Sequence, residues 1–293
     1  MQEKILKLEN KNIKSKFSPQ NVAVDVGQTL TKIAYYDQDV LNLRMFPTDL
    51  EFKGITNFFE KSKDQFKELK FTGGKAYDLY KKYSNKFKTM LINEFDANVK
   101  GSEFLYILNK NRSLKPSLIV TLGTGISILL YHQKVIHLGG SAMGGAFFMG
   151  LVKIISEDID FDDAINLASK GNRYNFDLKV SDIYSPEDGR ISNLFREYTA
   201  ASLGKIDDST NIASLNKADF FNSIICLIGE NIATIVNLFA EIHNIQEILF
   251  SGGFLIENEV LKKILKIICR FNKRRAVILQ NSQFSGAIGA LLS

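Results

Sequence analysis

Apolar residues fall along this chain in short blocks, and their period switches repeatedly between two and about three and a half. The first blocks, Asn21–Val26, residues 32–36 and residues 41–46, are strand-like and separated by turn residues, which predicts an antiparallel meander. Helical spacing follows at residues 55–66, then a short strand at 69–72 ending in Gly73-Gly74, and a Lys/Tyr-rich helix at 76–86. Residues 89–95 read as a strand and 99–109 as a helix. After Pro116 the opening is repeated: residues 118–122, 127–131 and 135–138 form a second meander with a glycine in its first turn. A glycine-rich stretch, 139–150, leads into an apolar helix at 147–155. Residues 220–242 predict a long helix with apolar positions at 221, 224, 225, 228, 232, 235, 239 and 242, widened by Ile225, Leu227, Val236 and Leu238. A helix apolar on most sides is buried on most sides, as a core helix, a dimer seam or a share of both. Glu247–Ser251 reads as a buried strand running into Gly252-Gly253, followed by a helix at 255–271, a strand at 276–280 and a closing helix at 285–292.

Two meanders of the same design predict a duplicated α/β fold. Residues 21–115 form one lobe, 116–293 the other, and 1–20 a flexible tail. At 293 residues two cores are the expectation. The two first turns carry the chemistry. In V-A-V-D-V-G-Q-T-L-T-K (22–32), Asp25 ends a strand, Gly27 permits a tight turn, Thr29 offers a hydroxyl, and Lys32 begins the return. In T-L-G-T-G-I-S (121–127), Gly123 and Gly125 remove side-chain bulk so that backbone N–H groups can approach an anion. The pair reads as two phosphate-gripping hairpins across a nucleotide cleft, the arrangement of the actin-like ATPases. The G-x-x-x-x-G-K-[ST] pattern of a P-loop does not occur.

Composition narrows the classes. Apolar content of 45% and charge of 24% are ordinary for a globular protein. Cys226 and Cys269 are too few for a disulfide framework and fit an intracellular setting. Three histidines give no zinc spacing. The formal charge of +5 comes from scattered lysines interspersed with acids, which argues against nucleic acid and suits anionic small substrates. No uninterrupted apolar run reaches the roughly 18 residues of a membrane span, because Asn222, Glu230 and Asn231 break the densest one.

Taken in order, eight segments resemble one family, the type II pantothenate kinases, over about residues 21–293. They are D-V-G-Q-T-L-T-K (25–32), T-G-G (72–74), E-F-D-A-N-V-K-G (94–101), L-G-T-G-I-S (122–127), G-G-S-A-M-G-G-A-F-F-M-G-L (139–151), G-N-R-Y-N-F-D-L-K-V-S-D-I-Y (171–184), T-A-A-S-L-G-K (199–205) and F-S-G-A-I-G-A-L (284–291). The resemblance implies the actin-like ATPase (ribonuclease H-like) fold, with two lobes around a nucleotide cleft. It also implies ATP- and Mg²⁺-dependent phosphorylation of pantothenate, the first step toward coenzyme A, by a cytoplasmic homodimer joined through the long helix.

Carried over residue by residue, the resemblance makes Asp25 the Mg²⁺ holder and Gly27, Gln28, Thr29 and Lys32 a cradle for the phosphates. Glu94 becomes the base that accepts the substrate hydroxyl proton, read here as closing the strand at 89–95, with Asp96 on the same face as a metal-linked or merely structural neighbour. Thr124, between Gly123 and Gly125, touches phosphate. Gly145, Ala146 and Phe147 form an ATP-binding turn, and Gly252 and Gly253 lie on the adenosine side. Phe161 is near adenine or in the core. Ser127 touches substrate, or is a strand hydroxyl bonded to a carbonyl, and Gly139 and Gly140 line the same side. One position departs from the family: His137 stands where an arginine contacts substrate or the inhibitory coenzyme A thioester. Histidine lacks that bidentate, permanent charge, so weaker feedback inhibition follows unless Arg173 or Arg190 substitutes. Three rivals stay open: a sugar kinase of the same superfamily, an actin-like ATPase, and a catalytically impaired nucleotide-binding scaffold.

Overall fold

The computed structural model describes residues 4–9, 16–62, 65–208, 210–211 and 214–293. Two sheets form its frame. The first contains β1 (Lys4–Glu9), β2 (Asn21–Val26), β3 (Leu30–Asp37), β4 (Val40–Pro47), β5 (Glu68–Thr72) and β6 (Lys88–Leu91), in the order β1-β4-β3-β2-β5-β6. The meander β2-β3-β4 is antiparallel, whereas β5 and β6 join parallel to β2. Helices α1 (Lys53–Lys61) and α2 (Ala76–Tyr83) cover the outer face, packing Phe58, Phe59, Leu79 and Tyr83 on Val22, Val24, Ile33 and Phe71.

The second sheet repeats the plan. β7 (Ser117–Leu122), β8 (Ile126–Tyr131) and β9 (Val135–Ser141) are the antiparallel meander, and β12 (Glu247–Ser251) and β13 (Arg275–Ile278) extend it in parallel, in the order β13-β12-β7-β8-β9. Between these blocks run α4 (Gly145–Ile155), α5 (Phe161–Ser169), a small hairpin of β10 (Leu178–Lys179) and β11 (Thr199–Ala201) enclosing α6 (Asn193–Arg196), and α7 (Lys217–Ile242). The chain then finishes with β12 (Glu247–Ser251), α8 (Glu259–Phe271), β13 (Arg275–Ile278) and α9 (Ser285–Leu291).

The two sheets are joined through a shared core. Helix α3 (Glu94–Lys110) and α9 lie in it together: Ala97, Leu105, Tyr106, Ala287, Ile288 and Leu291 pack with Ala23 and Leu41 of the first sheet and Ile119, Leu129 and Leu249 of the second. Glycines make this close approach achievable. A Cβ at Gly289 would lie 1.7 Å from the Ala97 carbonyl oxygen, and one at Gly101 would lie 1.8 Å from that of Ser285. The buried Lys70 donates from β5 to the carbonyl of Leu291 at 3.1 Å, capping the C-terminal end of α9. The last helix therefore packs against β2, β3 and β5, so residues 116–293 are not one spatial lobe.

Three other expectations change. Part of the supposed tail is ordered: β1 pairs antiparallel with β4, Leu6 and Leu8 alternate onto the core side, and Phe17 is buried against Tyr36 and Phe104. Residues 1–3 and 10–15 lie outside the described residues. The strand expected to run to residue 95 stops at Leu91, because Asn93 caps α3, its side chain accepting from the amides of Phe95 (2.9 Å) and Asp96 (3.3 Å). Glu94 thus opens a helix rather than closing a strand, and Asp96 sits in its first turn, not on a shared strand face. Finally, α7 is long and apolar enough to cross a bilayer by length and composition, despite its polar interruptions. Its apolar face is instead the spine of the second core, with Phe221, Ile225, Ile228, Ile232 and Val236 buried under α5, α8 and the sheet.

Candidate active site

Asp25 and Lys32 are opposite one another in the β2–β3 ladder, and Lys32 Nζ donates to Asp25 Oδ2 at 3.2 Å. The turn between them closes when the Gly27 amide donates to the Leu30 carbonyl at 3.1 Å, leaving Gln28 and Thr29 exposed at the tip. Two glycines far apart in sequence make room for the Asp25 carboxylate. A Cβ at Gly73, whose φ is +95°, would lie 2.6 Å from Oδ1, and one at Gly286 would lie 2.8 Å from Oδ2. Thr72 neighbours Asp25 in the parallel β2–β5 register, and its buried hydroxyl has no hydrogen-bond partner.

The second hairpin is tied down from behind. Gly123 donates to Gly125 O (2.9 Å), while the first amides of α4, Gly145 and Ala146, donate to the carbonyls of Gly123 (2.8 Å) and Thr124 (3.1 Å). Gly252 has φ +109°, and a Cβ there would lie 2.3 Å from the Leu122 carbonyl oxygen, so its turn packs on the same loop. The two hairpins meet: Thr29 and Thr124 hydroxyls are 3.1 Å apart across 95 residues of sequence. Gly253 completes the corner beside Leu30, where a Cβ would lie 3.2 Å from Leu30 Cδ1. Phe147 is exposed on α4. Phe161 opens α5 and packs on Phe254, whose ring also approaches Gly145.

Glu94 stands at the N-terminus of α3 within electrostatic reach of this cluster. Its side chain keeps an open surface, yet protein encloses most of its surroundings. Desolvation raises its pKa above the ordinary carboxylate range, the Asp25 charge raises it further, and Lys32 lowers it. A carboxyl group with these neighbours can take up a proton more readily than an ordinary surface carboxylate.

Ser127, Gly139 and Gly140 lie together on β8 and β9, with Ser127 opposite Gly140. The Ser127 hydroxyl oxygen is buried with no partner, so it is not spent on a neighbouring carbonyl. His137 stacks on Phe95 at 4.6 Å and 8°, which sets the imidazole beside the residue that follows Glu94. Neither candidate arginine is free to replace the family's. Arg173 is buried between Asp177 (2.6 Å) and Glu230 (2.5 Å), and Arg190 is held by Asp188. Sequence reading gave no role to Thr72, Gly73, Phe95 or Gly286; the T-G-G and F-S-G-A-I-G segments were the available signals.

Two glycine turns in contact, an Asp–Lys pair and a carboxylate with one open side lie together in a two-lobed α/β fold, an arrangement suited to phosphoryl transfer. Solved structures of the same fold include a ROK family glucokinase from Streptomyces griseus in complex with glucose and AMPPNP (TM-score 0.56, 10% identity, 92% of this chain and 97% of that one). Another is the ethanolamine utilization protein EutJ from Carboxydothermus hydrogenoformans (TM-score 0.54, 9% identity, 96% and 93%). The family model described as Fumble matches residues 41–293. Curated relatives include type II pantothenate kinases of Bacillus cereus strain G9842, 31% identical over 93% of this chain and 98% of the relative, and strain ATCC 10987, 33% identical over 92% and 96%. A relative of the same name from Oceanobacillus iheyensis is 28% identical over 94% and 99%. The chain belongs to the Fumble family, among the type II pantothenate kinases.

Proposed function

We propose that this chain transfers the terminal phosphoryl group of ATP to the primary hydroxyl of pantothenate, yielding 4′-phosphopantothenate and ADP. The observation that carries the reading is Glu94 beside Asp25 and Lys32, under two turns that meet at Thr29 and Thr124. Glu94 accepts the hydroxyl proton as that oxygen bonds to the γ-phosphorus, and the bond to the β-phosphate oxygen breaks to release ADP. Lys32 and the turn residues Gly27, Gln28, Thr29, Gly123, Thr124 and Gly125 bind the phosphates. Gly145–Phe147, Gly252, Gly253 and Phe161 surround the nucleoside side, and Ser127, His137, Gly139 and Gly140 orient pantothenate.

Asp25 would hold Mg²⁺. The described residues contain no cluster of three acidic, His or Cys side chains, which suits an ion bound through one carboxylate, water and substrate phosphates. Such an ion supplies charge neutralisation on the triphosphate; Lys32 balances Asp25 from the other side.

A homodimer through α7 fits two exposed apolar side chains, Leu238 and Ile242, which share the outer face of the helix with the exposed Asn231, Thr234 and Glu241. A cytoplasmic setting fits two unpaired, buried thiols.

ADP release coupled to a reporter enzyme, run with and without pantothenate, tests the reaction. Pantothenate-dependent release is expected; pantothenate-independent release points to a plain ATPase, and none to a scaffold. Coenzyme A is expected to inhibit weakly, because His137 offers no fixed charge. His137→Arg, which can also stack on Phe95, is expected to tighten that inhibition by about fivefold or more. An unchanged inhibition curve removes His137 from that role.

A further inference from the structure

Strands β7, β12 and β13 are mutually parallel, with Glu247 opposite Arg275 and Ile248 opposite Leu118. Their C-terminal ends carry the Gly123 and Gly252 loops of the cleft. Their N-terminal ends lie at the opposite edge of the sheet, about 20 Å away at 3.3 Å per residue. A cavity of about 630 Å³ opens at that edge, lined by Arg112, Lys115, Arg270, Lys273, Arg274 and Arg275. A second of about 280 Å³ shares Arg112 and Arg275 and adds Lys110 and Lys266.

The charge there is concentrated and organised. The only carboxylate lining either cavity among the described residues is Glu247. It is buried, accepts from the Tyr106 hydroxyl at 2.8 Å and from Arg112 at 3.2 Å, and pairs with Arg275. Arg112 also lies over the Tyr106 ring at 5.5 Å. These contacts fix two guanidinium groups while leaving other N–H donors of each unused, and a guanidinium has five. Arg274 contributes a buried Nε with no hydrogen-bond partner. Arg112 and Arg275 share this one carboxylate, and the other cations of the lining add positive charge that an anion would offset.

We infer that this edge is a binding site for a small, multiply phosphorylated anion, separate from the cleft. The volume lies within the roughly 300–1,000 Å³ of small-molecule sites. The lining favours a compact anion over single-stranded nucleic acid, because among the described residues no aromatic side chain lines either cavity to stack a base. Arginine forks and lysines suit phosphoryl oxygens.

Tripolyphosphate titrated calorimetrically into the full chain, with a non-hydrolysable ATP analogue saturating the cleft, tests it. One further tripolyphosphate per chain is expected to bind. Lys273→Gln with Arg274→Gln, neither of which supports Glu247, is expected to weaken it by about tenfold or more, and Lys273→Arg with Arg274→Lys to preserve it. No binding to the wild type, or undiminished binding by a natively folded glutamine variant, overturns the site. A short oligouridylate that competes at this edge and binds more tightly than tripolyphosphate also overturns it, in favour of nucleic acid. Glu94→Gln leaves this binding intact, so its outcome is independent of the kinase reaction.

Discussion

Glu94→Gln is expected to lower kcat by about 10²–10⁴-fold while ATP still binds, since a glutamine keeps the shape but accepts no proton. Steady-state kinetics with nucleotide binding measured separately checks this; near-wild-type turnover would falsify the assignment. The pH profile follows from the same surroundings. Burial first, and the Asp25 charge second, raise the Glu94 pKa, against the opposing pull of Lys32. The acid limb of kcat/KM is therefore expected above the ordinary carboxylate range, with activity falling as pH drops through it. Lys32→Met is expected to move that limb higher still, because it removes the neighbouring cation that favours the charge.

Stability runs the other way. A carboxyl group whose folded pKa exceeds its unfolded value contributes stability that is complete below the unfolded value and lost as pH rises through the folded one. At neutral pH the ionised Glu94 is a cost to folding, partly relieved by its place at a helix N-terminus. The Glu94→Gln variant should melt at or above the wild-type Tm at neutral pH. A marked drop would assign Glu94 to holding the fold.

Gly289→Ala has the second large effect. Its new Cβ would sit 1.7 Å from the Ala97 carbonyl oxygen and 2.8 Å from the Gly101 amide nitrogen. Both are backbone atoms, so no rotamer change relieves the clash, and α3 and α9 must separate. The shared core and the Lys70 contact to Leu291 are disturbed together. A loss of at least about 3 kcal/mol is expected, at the upper end of overpacking costs. Activity should fall as well, because the helix that moves carries Glu94. Chemical denaturation measures the first and turnover the second; an alanine variant within about 1 kcal/mol of wild type would mean the helices re-pack without strain. Gly101→Ala touches the same crossing from the other side, so the double variant should cost less than the two changes combined.

Much of this was legible in one dimension. Period-two apolar runs broken by glycine mark both meanders, because strand burial and turn geometry are local properties. Asp25, Gly27, Thr29, Lys32, Gly123 and Gly125 stand out as turn residues for the same reason. The N-terminus of α3 was misread although its signal was present: Asn93 followed by Glu94 and Asp96 is a cap and an acidic first turn, and the apolar Ile92 and Phe95 disguised it as strand. The small β1 was missed because its alternation of Leu6 and Leu8 with Ile5 and Lys7 is too short to stand out.

Sequence alone determined the repeated architecture and the two glycine turns, since each is written in spacing between near neighbours, and eight ordered segments carried the resemblance to the family and with it the expectation for position 94. Tertiary structure decided which distant residues share a site. It brought Gly73 and Gly286 against Asp25, laid Phe95 under His137, paired Arg173 with Asp177 and Glu230, and gathered six cations along one cavity with Glu247. Those contacts join segments as far apart as the two ends of the chain, and packing between elements, which no local periodicity encodes, is what selects them.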